Sequence, residues 1–381
     1  MKRVAILVET TLASGRSILN GISRYLHEQD DWSIFHPTGY QGSIEPTGLD
    51  QWQGDGIIAR ISNTTILQFV KMRNVPVVDV IGNVAASDYP VVKCDDQAIG
   101  KMVANHFISM GHRHFAFLGL SDERWSLERE ASFTNVVQTR AQSISHYHLS
   151  PEEKKAGYWN ENVQKITEWL SGLPKPLALM VGSDQFGPMV MKACQRLDLP
   201  VPDMVSVVGV DNDMPFCELC RPRLSSVEPD HTRVGYEAAR LLDRILKGED
   251  GTTRQIETPP LTLHARPSSD STALEDPSLV KAIQCIREKA CLGISVDEVA
   301  EKAGLSRSVL QRRFKDQLGR TVGDAILAIK MRRARDLLTF TDLPLIDVAE
   351  RSGFNYQEYL STVFKKHLDT TPAQYRADTK R

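Results

Sequence analysis

The stretch LSRSVLQRRFKDQLG (305–319) combines an apolar edge with basic side chains. Leu310, Phe314 and Leu318 are spaced four apart, so they share one face of a helix and pack inward. Arg312 then projects from the opposite side. This pattern fits a solvated surface helix, and it also fits a helix that lies against a polyanion. The rest of the sequence has to distinguish the two.

A later segment repeats the design of this stretch. In both copies a helix carrying Val-Ala-Glu ends at a glycine, Gly304 or Gly353, and a helix with a Phe-Lys pair follows. Glycine permits the positive φ that ends one helix and lets the next cross it. We therefore predict two helix-turn-helix motifs, at 295–318 and 344–368, joined by a helix over 323–338.

The second helix of such a motif enters the major groove of DNA, so its outward side chains are candidates for DNA contact. Gln and Arg are suited to paired hydrogen bonds with adenine and guanine edges. The candidate residues are Ser308, Gln311, Arg312, Lys315, Gln357, Glu358, Thr362 and Lys365. A helical bundle with solvated basic faces is the alternative.

Charge is distributed unevenly along the 381 residues. The chain has a net charge of -2, but the segment from Leu279 to the end holds 19 basic and 13 acidic residues. A basic tail on an acidic body indicates that the tail meets a polyanion.

Hydrophobic content of 41% is ordinary for a soluble globular protein. No apolar run is long enough to span a bilayer and no secretory signal is apparent, so we expect a cytoplasmic protein without a membrane partner.

The first 260 or so residues alternate short apolar runs with helical segments. The runs are VAILV (4–8), GIIA (56–59), VPVVDVI (75–81), PVVKC (90–94), HFAFLGL (114–120), PLALMVG (176–182) and VSVVGVD (205–211). Successive apolar positions indicate strands buried on both faces of a parallel sheet. We predict an α/β body of two lobes over 1–264, a Ser- and Pro-rich linker over 265–276, and an all-α domain over 277–381 with Asp276 capping its first helix.

The C-terminal domain resembles the DNA-binding domain of the AraC family of transcription regulators. The matching motifs are Leu-x-Arg-x-Phe-Lys (310–315), Asp-Val-Ala (347–349) with Gly-Phe (353–354), Phe-Lys-Lys (364–366), and Thr-Pro (371–372) with Tyr-Arg (375–376). The resemblance implies that both recognition helices enter successive major-groove turns. Two positions depart from the pattern: Asp369 replaces a common glycine, and Thr362 replaces a frequent base-reading arginine.

The body resembles the effector-binding region of the LacI/GalR regulators, which share the fold of type I periplasmic sugar-binding proteins. The matching segments are 96–120 and 199–213. Those regulators carry a helix-turn-helix ahead of this fold, and here we expect the opposite end to take that role. The resulting domain order resembles the xylose operon regulators. This resemblance implies a DNA-binding activator of pentose genes that responds to a sugar, D-xylose above all.

A sugar presents hydroxyls and apolar CH faces, so its site needs charged hydrogen-bonding partners and an aromatic surface. The candidate ligand-binding residues are Asp211, Arg129, Asp184, Trp125 and Arg60, with Glu9 and Arg16 as further possibilities. Arg129 and Asp211 stand at the helix start and strand end that border the cleft in the resembled fold. The alternative for Asp184 and Asp211 is that they cap the helices that follow.

The remaining polar motifs do not indicate catalysis. Cys217 and Cys220 have no second Cys or His pair at zinc spacing, so we expect thiols, no metal and no cofactor. A sugar-modifying enzyme with a helical tail is a less favoured hypothesis, and a regulator that responds to another sugar or a nucleobase is the nearer alternative. Operator geometry favours a homodimer, and activation would require contact with RNA polymerase.

Overall fold

The computed structural model of the protein describes residues 1–29, 31–37, 52–84, 89–154, 156–249, 252–270 and 276–379. The chain divides into two compact units, Met1–Ser271 and Thr272–Arg381. Within the described residues, no helix has the length and apolar character needed to cross a membrane.

The first unit is built on two six-stranded sheets. The strands in chain order are β1 (Lys2–Leu7), β2 (Trp32–Phe35), β3 (Gly56–Ala59), β4 (Val77–Asp79), β5 (Val91–Cys94), β6 (His114–Leu120), β7 (Ser143–Leu149), β8 (Leu177–Val181), β9 (Val205–Val210), β10 (Ser225–Glu228), β11 (Gln255–Thr258) and β12 (Thr262–His264). The strand orders are β11-β5-β4-β3-β1-β2 and β12-β10-β9-β8-β6-β7. Every pairing is parallel except that of β10 with β12. The predicted pair of sheets is therefore present.

Helices cover these sheets. The α-helices of the first unit are α1 (Ala13–Glu28), α2 (Thr64–Met72), α3 (Asp96–Ser109), α4 (Arg124–Val137), α5 (Trp159–Ser171), α6 (Gly187–Arg196), α7 (Met214–Leu219) and α8 (His231–Leu246). Helices α1 and α8 pack closely because a glycine on each lets the backbones meet. A Cβ on Gly21 would lie 1.9 Å from the Thr232 carbonyl oxygen, and one on Gly235 would lie 1.9 Å from that of Ile18. Each sheet consequently has a helix-covered core.

The beginning of the predicted linker is part of the first unit. Residues Pro267–Ser269 form a short 3-10 helix. Ser268 is buried, accepts a hydrogen bond from the Ser225 amide at 2.8 Å and donates one to the Val207 carbonyl at 2.6 Å. The prediction that a linker begins at residue 265 is thus corrected, because residues 265–270 follow β12 and pack on its sheet. Residues 271–275 of that linker lie outside the described part of the chain.

The second unit is helical throughout its described residues. Its α-helices are α9 (Pro277–Lys289), α10 (Val296–Ala303), α11 (Arg307–Leu318), α12 (Val322–Phe340), α13 (Leu345–Arg351), α14 (Gln357–Leu368) and α15 (Pro372–Thr379). Asp276 caps α9 by accepting a hydrogen bond from the Ser278 amide, as predicted. One small core, around Leu310 and Phe314, includes the first half of α12, and another, around Leu360 and Phe364, includes its second half. The unit is therefore a pair of helical subdomains that share one long helix.

Candidate ligand-binding cavity and nucleic-acid interface

A cavity of about 490 Å³ lies in the first unit. Segments that follow β1, β3, β6, β8 and β9 contribute to its lining, so it is bordered by the carboxyl ends of strands from both sheets. This is the usual position of a ligand in parallel α/β folds. Of the predicted ligand residues, Arg60, Trp125, Arg129 and Asp211 line the cavity, and so does Glu9.

Arg129 is a buried cation of this cavity, and its partners hold it in place. It is 4% exposed and donates from Nε to Asp96 Oδ1 at 2.8 Å and from Nη1 to the Gly182 carbonyl at 2.7 Å. Its Nη1 also lies 3.9 Å from Asp211 Oδ1. The guanidinium stacks 4.7 Å from the centroid of the Trp125 ring. The guanidinium is therefore fixed in orientation before any ligand arrives, and one face of Trp125 is already covered.

Asp211 is held in the left-handed backbone region, with φ of 107°, directly after β9. Its Oδ2 accepts a hydrogen bond from Ser183 Oγ at 2.8 Å, and His231 Nε2 lies 3.5 Å from its Oδ1. Burial alone would raise the pKa of Asp211, but the His231 hydrogen bond and the charge of Arg129 outweigh it and hold the pKa below its usual value. A carboxylate that is ionised and positioned in this way suits a ligand hydroxyl.

Asp184 is placed differently from the prediction. It is fully buried and lies behind the cavity wall, where its carboxylate accepts hydrogen bonds from Ser226 Oγ and from the Asp213 amide at 2.9 Å. Burial and the nearby Asp211 raise its pKa well above the usual range. Asp213 is the N-cap residue of α7, so Asp184 supports the start of that helix. The ligand role predicted for Asp184 is corrected to a structural one.

The two remaining predicted arginines, Arg60 and Arg16, differ in their relation to the cavity. Arg60 donates to Ser14 Oγ at 3.2 Å and is half-buried beside Asp79. Arg16 donates to the carbonyls of Thr10 and Thr11, and its side chain is 46% exposed. Of these two arginines, Arg60 lines the cavity.

Sequence analysis missed many polar residues of the cavity wall, and four of them bear on its charge and reactivity. They are Lys93, Cys94, Asp96 and His231. The first three stand at the end of β5 and the start of α3, and His231 begins α8. Their position at a strand end or a helix start is the signal that could have found them. The segment PVVKC predicts a strand, but it does not show that the side chains at its end face the cavity.

The predicted DNA-binding side chains lie on the surface of the second unit. Gly304 and Gly353 adopt φ of 67° and 77° between the two helices of each motif, as the prediction required. The second helix of the first motif buries Leu310 and Phe314, and that of the second motif buries Leu360, Val363 and Phe364. Six of the eight candidates are exposed and two are half-buried: Ser308, Arg312, Lys315, Glu358, Thr362 and Lys365 in the first class, Gln311 and Gln357 in the second.

The arginines of α11 differ in their partners. Arg307 pairs with Asp297 and Arg313 pairs with Asp276, each at 3.0 Å. Within the described part of the chain, Arg312 makes neither an ion pair nor a hydrogen bond. Its guanidinium is consequently available to a group outside the protein.

The two positions of the second motif that depart from the AraC pattern are Thr362 and Asp369. Thr362 Oγ1 donates to the Glu358 carbonyl at 2.9 Å, so this hydroxyl is engaged within its own helix. Asp369 ends α14 with φ of 52°, in the place that Gly319 takes at the end of α11 with φ of 67°. Asp369 therefore adopts the left-handed conformation that its glycine counterpart in the first motif adopts without strain.

Comparison with known proteins identifies both units. Residues 3–96 match the XylR N-terminal domain, residues 104–269 a periplasmic binding protein-like domain, and residues 299–378 a helix-turn-helix domain. The xylose operon regulatory protein of Escherichia coli (strain K12) is 33% identical over 98% of this chain and 96% of its own length. The chain belongs to the family of xylose operon regulatory proteins.

Further members of the family support the assignment. The xylose operon regulatory protein of Haemophilus influenzae is 31% identical, over 98% of each chain. The structure of a xylose-binding transcription activator, xylR, is similar with a TM-score of 0.83 and 31% identity, over 100% of this chain and 99% of that one. The predicted fold class is confirmed, and so is the function class: these relatives are transcription regulators and not enzymes.

Proposed function

We propose that this protein is a D-xylose-responsive activator of pentose-catabolism genes, with the sugar bound in the cavity and DNA bound by the second unit. Arg129 and Asp211 clamp sugar hydroxyls, and Arg60 reaches the sugar from the other sheet's side of the cavity. The observation that carries the proposal is the Arg129–Asp211 pair. Both side chains line the cavity, with Arg129 Nη1 3.9 Å from Asp211 Oδ1. Each is also held in place by hydrogen bonds to other groups of the protein.

The electrostatics of the cavity support a neutral, hydroxyl-rich ligand. The wall carries cations such as Arg60 and Lys93 together with the carboxylates Asp211 and Asp96, so no single charge sign dominates. A buried cation next to a buried carboxylate offers donors and acceptors side by side, which matches a hydroxyl that donates and accepts. The exposed face of Trp125 supplies apolar surface for the sugar's CH groups.

Ligand binding has to change the DNA affinity of the second unit for the protein to act as a switch. A nearly complete switch needs about 5.5 kcal/mol of differential sugar affinity between two states. We propose closure of the two sheet-bearing lobes around the sugar as the difference between these states. We further propose that the protein acts in the cytoplasm as a homodimer on paired operator half-sites and contacts RNA polymerase.

Calorimetry on the full chain tests the ligand. A panel of D-xylose, other pentoses, hexoses and purines is titrated with and without a promoter fragment, and D-xylose is expected to bind most tightly and to raise DNA affinity. Asp211→Asn removes the charge that faces Arg129 and is expected to abolish xylose binding, while Arg313→Ala in the second unit leaves it unchanged. The absence of a binding heat with every pentose contradicts the proposal. A binding heat with a purine or a hexose instead favours the alternative, a regulator that responds to a nucleobase or to another sugar.

A further inference from the structure

A cysteine and a histidine of the cavity wall have no role in the proposed clamp. Cys94 ends β5 and is 5% exposed, and its Sγ lies 3.4 Å from His231 Nδ1. The other ring nitrogen, Nε2, lies 3.5 Å from Asp211 Oδ1. Thiol, imidazole and carboxylate thus stand in a chain, and all three line the cavity. This is the order of groups that activates a cysteine nucleophile.

We propose that Cys94 is a peroxide-reactive thiol, activated by His231, and that its oxidation and ligand occupancy exclude each other. The claim of mutual exclusion rests on the proposed ligand site, whereas the claim of a reactive thiol does not.

Two polar side chains lie beside the Cys94 sulfur. His231 faces it directly, and the Thr258 hydroxyl lies 3.9 Å from Sγ. Burial opposes protonation of His231, but Cys94 and the Asp211 carboxylate outweigh this effect and raise the pKa of His231 to about 9. The ring is therefore an imidazolium at neutral pH. A thiolate is the reactive form toward peroxides, and a cation beside a thiol increases its population.

The other cysteines lack this arrangement. Cys194, Cys217, Cys220 and Cys285 are buried, and burial raises the pKa of each thiol. Cys291 is half-buried and accessible, yet burial raises its pKa as well. Cys291 therefore serves as a control within the chain, because it is more exposed than Cys94 and, among the described residues, is not paired with a histidine.

The chemical step balances with a peroxide as the oxidant. The Cys94 thiolate attacks one peroxide oxygen, an S–O bond forms and the O–O bond breaks. The sulfur is oxidised to a sulfenic acid, and the departing hydroxide takes the proton of His231 to leave as water. The added oxygen and the neutralised imidazole both stand where a sugar would contact the wall. Oxidation therefore removes space and charge from the site, and a bound sugar shields the sulfur.

The test measures oxidation of the full chain by hydrogen peroxide, with dimedone trapping and mass spectrometry of each cysteine-containing peptide. An ordinary thiol is only a few per cent thiolate at neutral pH, so activation can accelerate the reaction by about thirtyfold at most. We expect Cys94 to react about tenfold faster than Cys291. His231→Asn is expected to remove that advantage without changing the rate at Cys291. Equal rates at the two cysteines in the unmodified protein, or an unchanged Cys94 rate in the variant, overturn the proposal.

Two further measurements separate this inference from the ligand assignment. Saturating D-xylose is expected to slow labelling of Cys94 at least tenfold. Peroxide treatment is expected to abolish xylose binding in the unmodified protein. In Cys94→Ala, peroxide-treated and untreated samples are expected to bind xylose equally. Rapid oxidation that D-xylose does not slow keeps the reactive thiol and contradicts mutual exclusion. Xylose binding without preferential oxidation of Cys94 contradicts the reactive thiol and leaves the ligand assignment intact. New labelling of Cys194 in His231→Asn would reveal misfolding, and the rate comparison in the unmodified protein then decides.

Discussion

Arg312→Ala tests whether α11 reads bases. Arg312 is exposed on the face opposite Leu310 and Phe314, and within the described residues it has no intramolecular partner. Its removal breaks no hydrogen bond or ion pair among the described residues, so the free energy of unfolding should change by no more than about 0.5 kcal/mol. Whatever binding energy is lost on DNA is then the energy of the DNA contact alone.

The magnitude follows from the kind of contact. A bidentate arginine on guanine discriminates against other bases by about 1–3 kcal/mol. At about 1.4 kcal/mol per factor of ten, Arg312→Ala should weaken specific binding by roughly 5- to 150-fold and relax the preference at one base position. Arg313 is the matched control. It lies next in sequence and carries the same charge, but its guanidinium is paired with Asp276, so Arg313→Ala should cost less specificity.

Fluorescence anisotropy provides the assay. The full chain is titrated into a duplex that the unmodified protein selected from a random pool, and into a second duplex with the selected bases permuted, at several salt concentrations. Loss on the selected duplex alone supports base reading. A uniform loss on both duplexes, with the salt slope reduced by about 0.9, would make Arg312 a phosphate contact and refute the reasoning.

Three stability predictions follow from backbone conformation, packing and burial. Asp369→Gly should raise the free energy of unfolding of the second unit by about 1 kcal/mol in urea titrations, because φ is 52° there; no gain would mean that the aspartate side chain compensates. Gly235→Ala should cost about 3 kcal/mol, measured in the same way, because its Cβ would lie 1.9 Å from the Ile18 carbonyl oxygen. Burial lowers the pKa of His112 to about 4, below the value of about 6.5 in the unfolded chain. The first unit should therefore lose up to about 3 kcal/mol as pH falls from 6.5 toward 4, and His112→Leu should lose less; equal losses would exclude His112 as the cause.

The fold was largely predictable because buried strands leave a strong pattern. All seven apolar runs of the first unit contain or overlap a strand. The strands that were missed are short or polar. Strand β7 (Ser143–Leu149) forms the edge of its sheet and is mostly half-buried, so it does not show a continuous apolar run. The misplaced linker has a similar cause, because hydroxyls buried by hydrogen bonds, as at Ser268, look the same in sequence as solvated ones.

The ligand site was predictable only to the level of strand ends. Asp184 and Asp211 each follow a buried strand, yet one carboxylate faces inward and the other faces the cavity. The difference depends on Gly209, since a Cβ there would lie 2.1 Å from Asp184 Oδ1 and push that carboxylate out of its position. Cys94 ends strand β5 and His231 begins helix α8, far apart in the chain. The two side chains meet because β5 and α8 pack together in the same lobe. Parallel topology gathers strand ends at one edge, so sequence can locate the cavity, but the direction of each side chain is decided by neighbours far away in the chain.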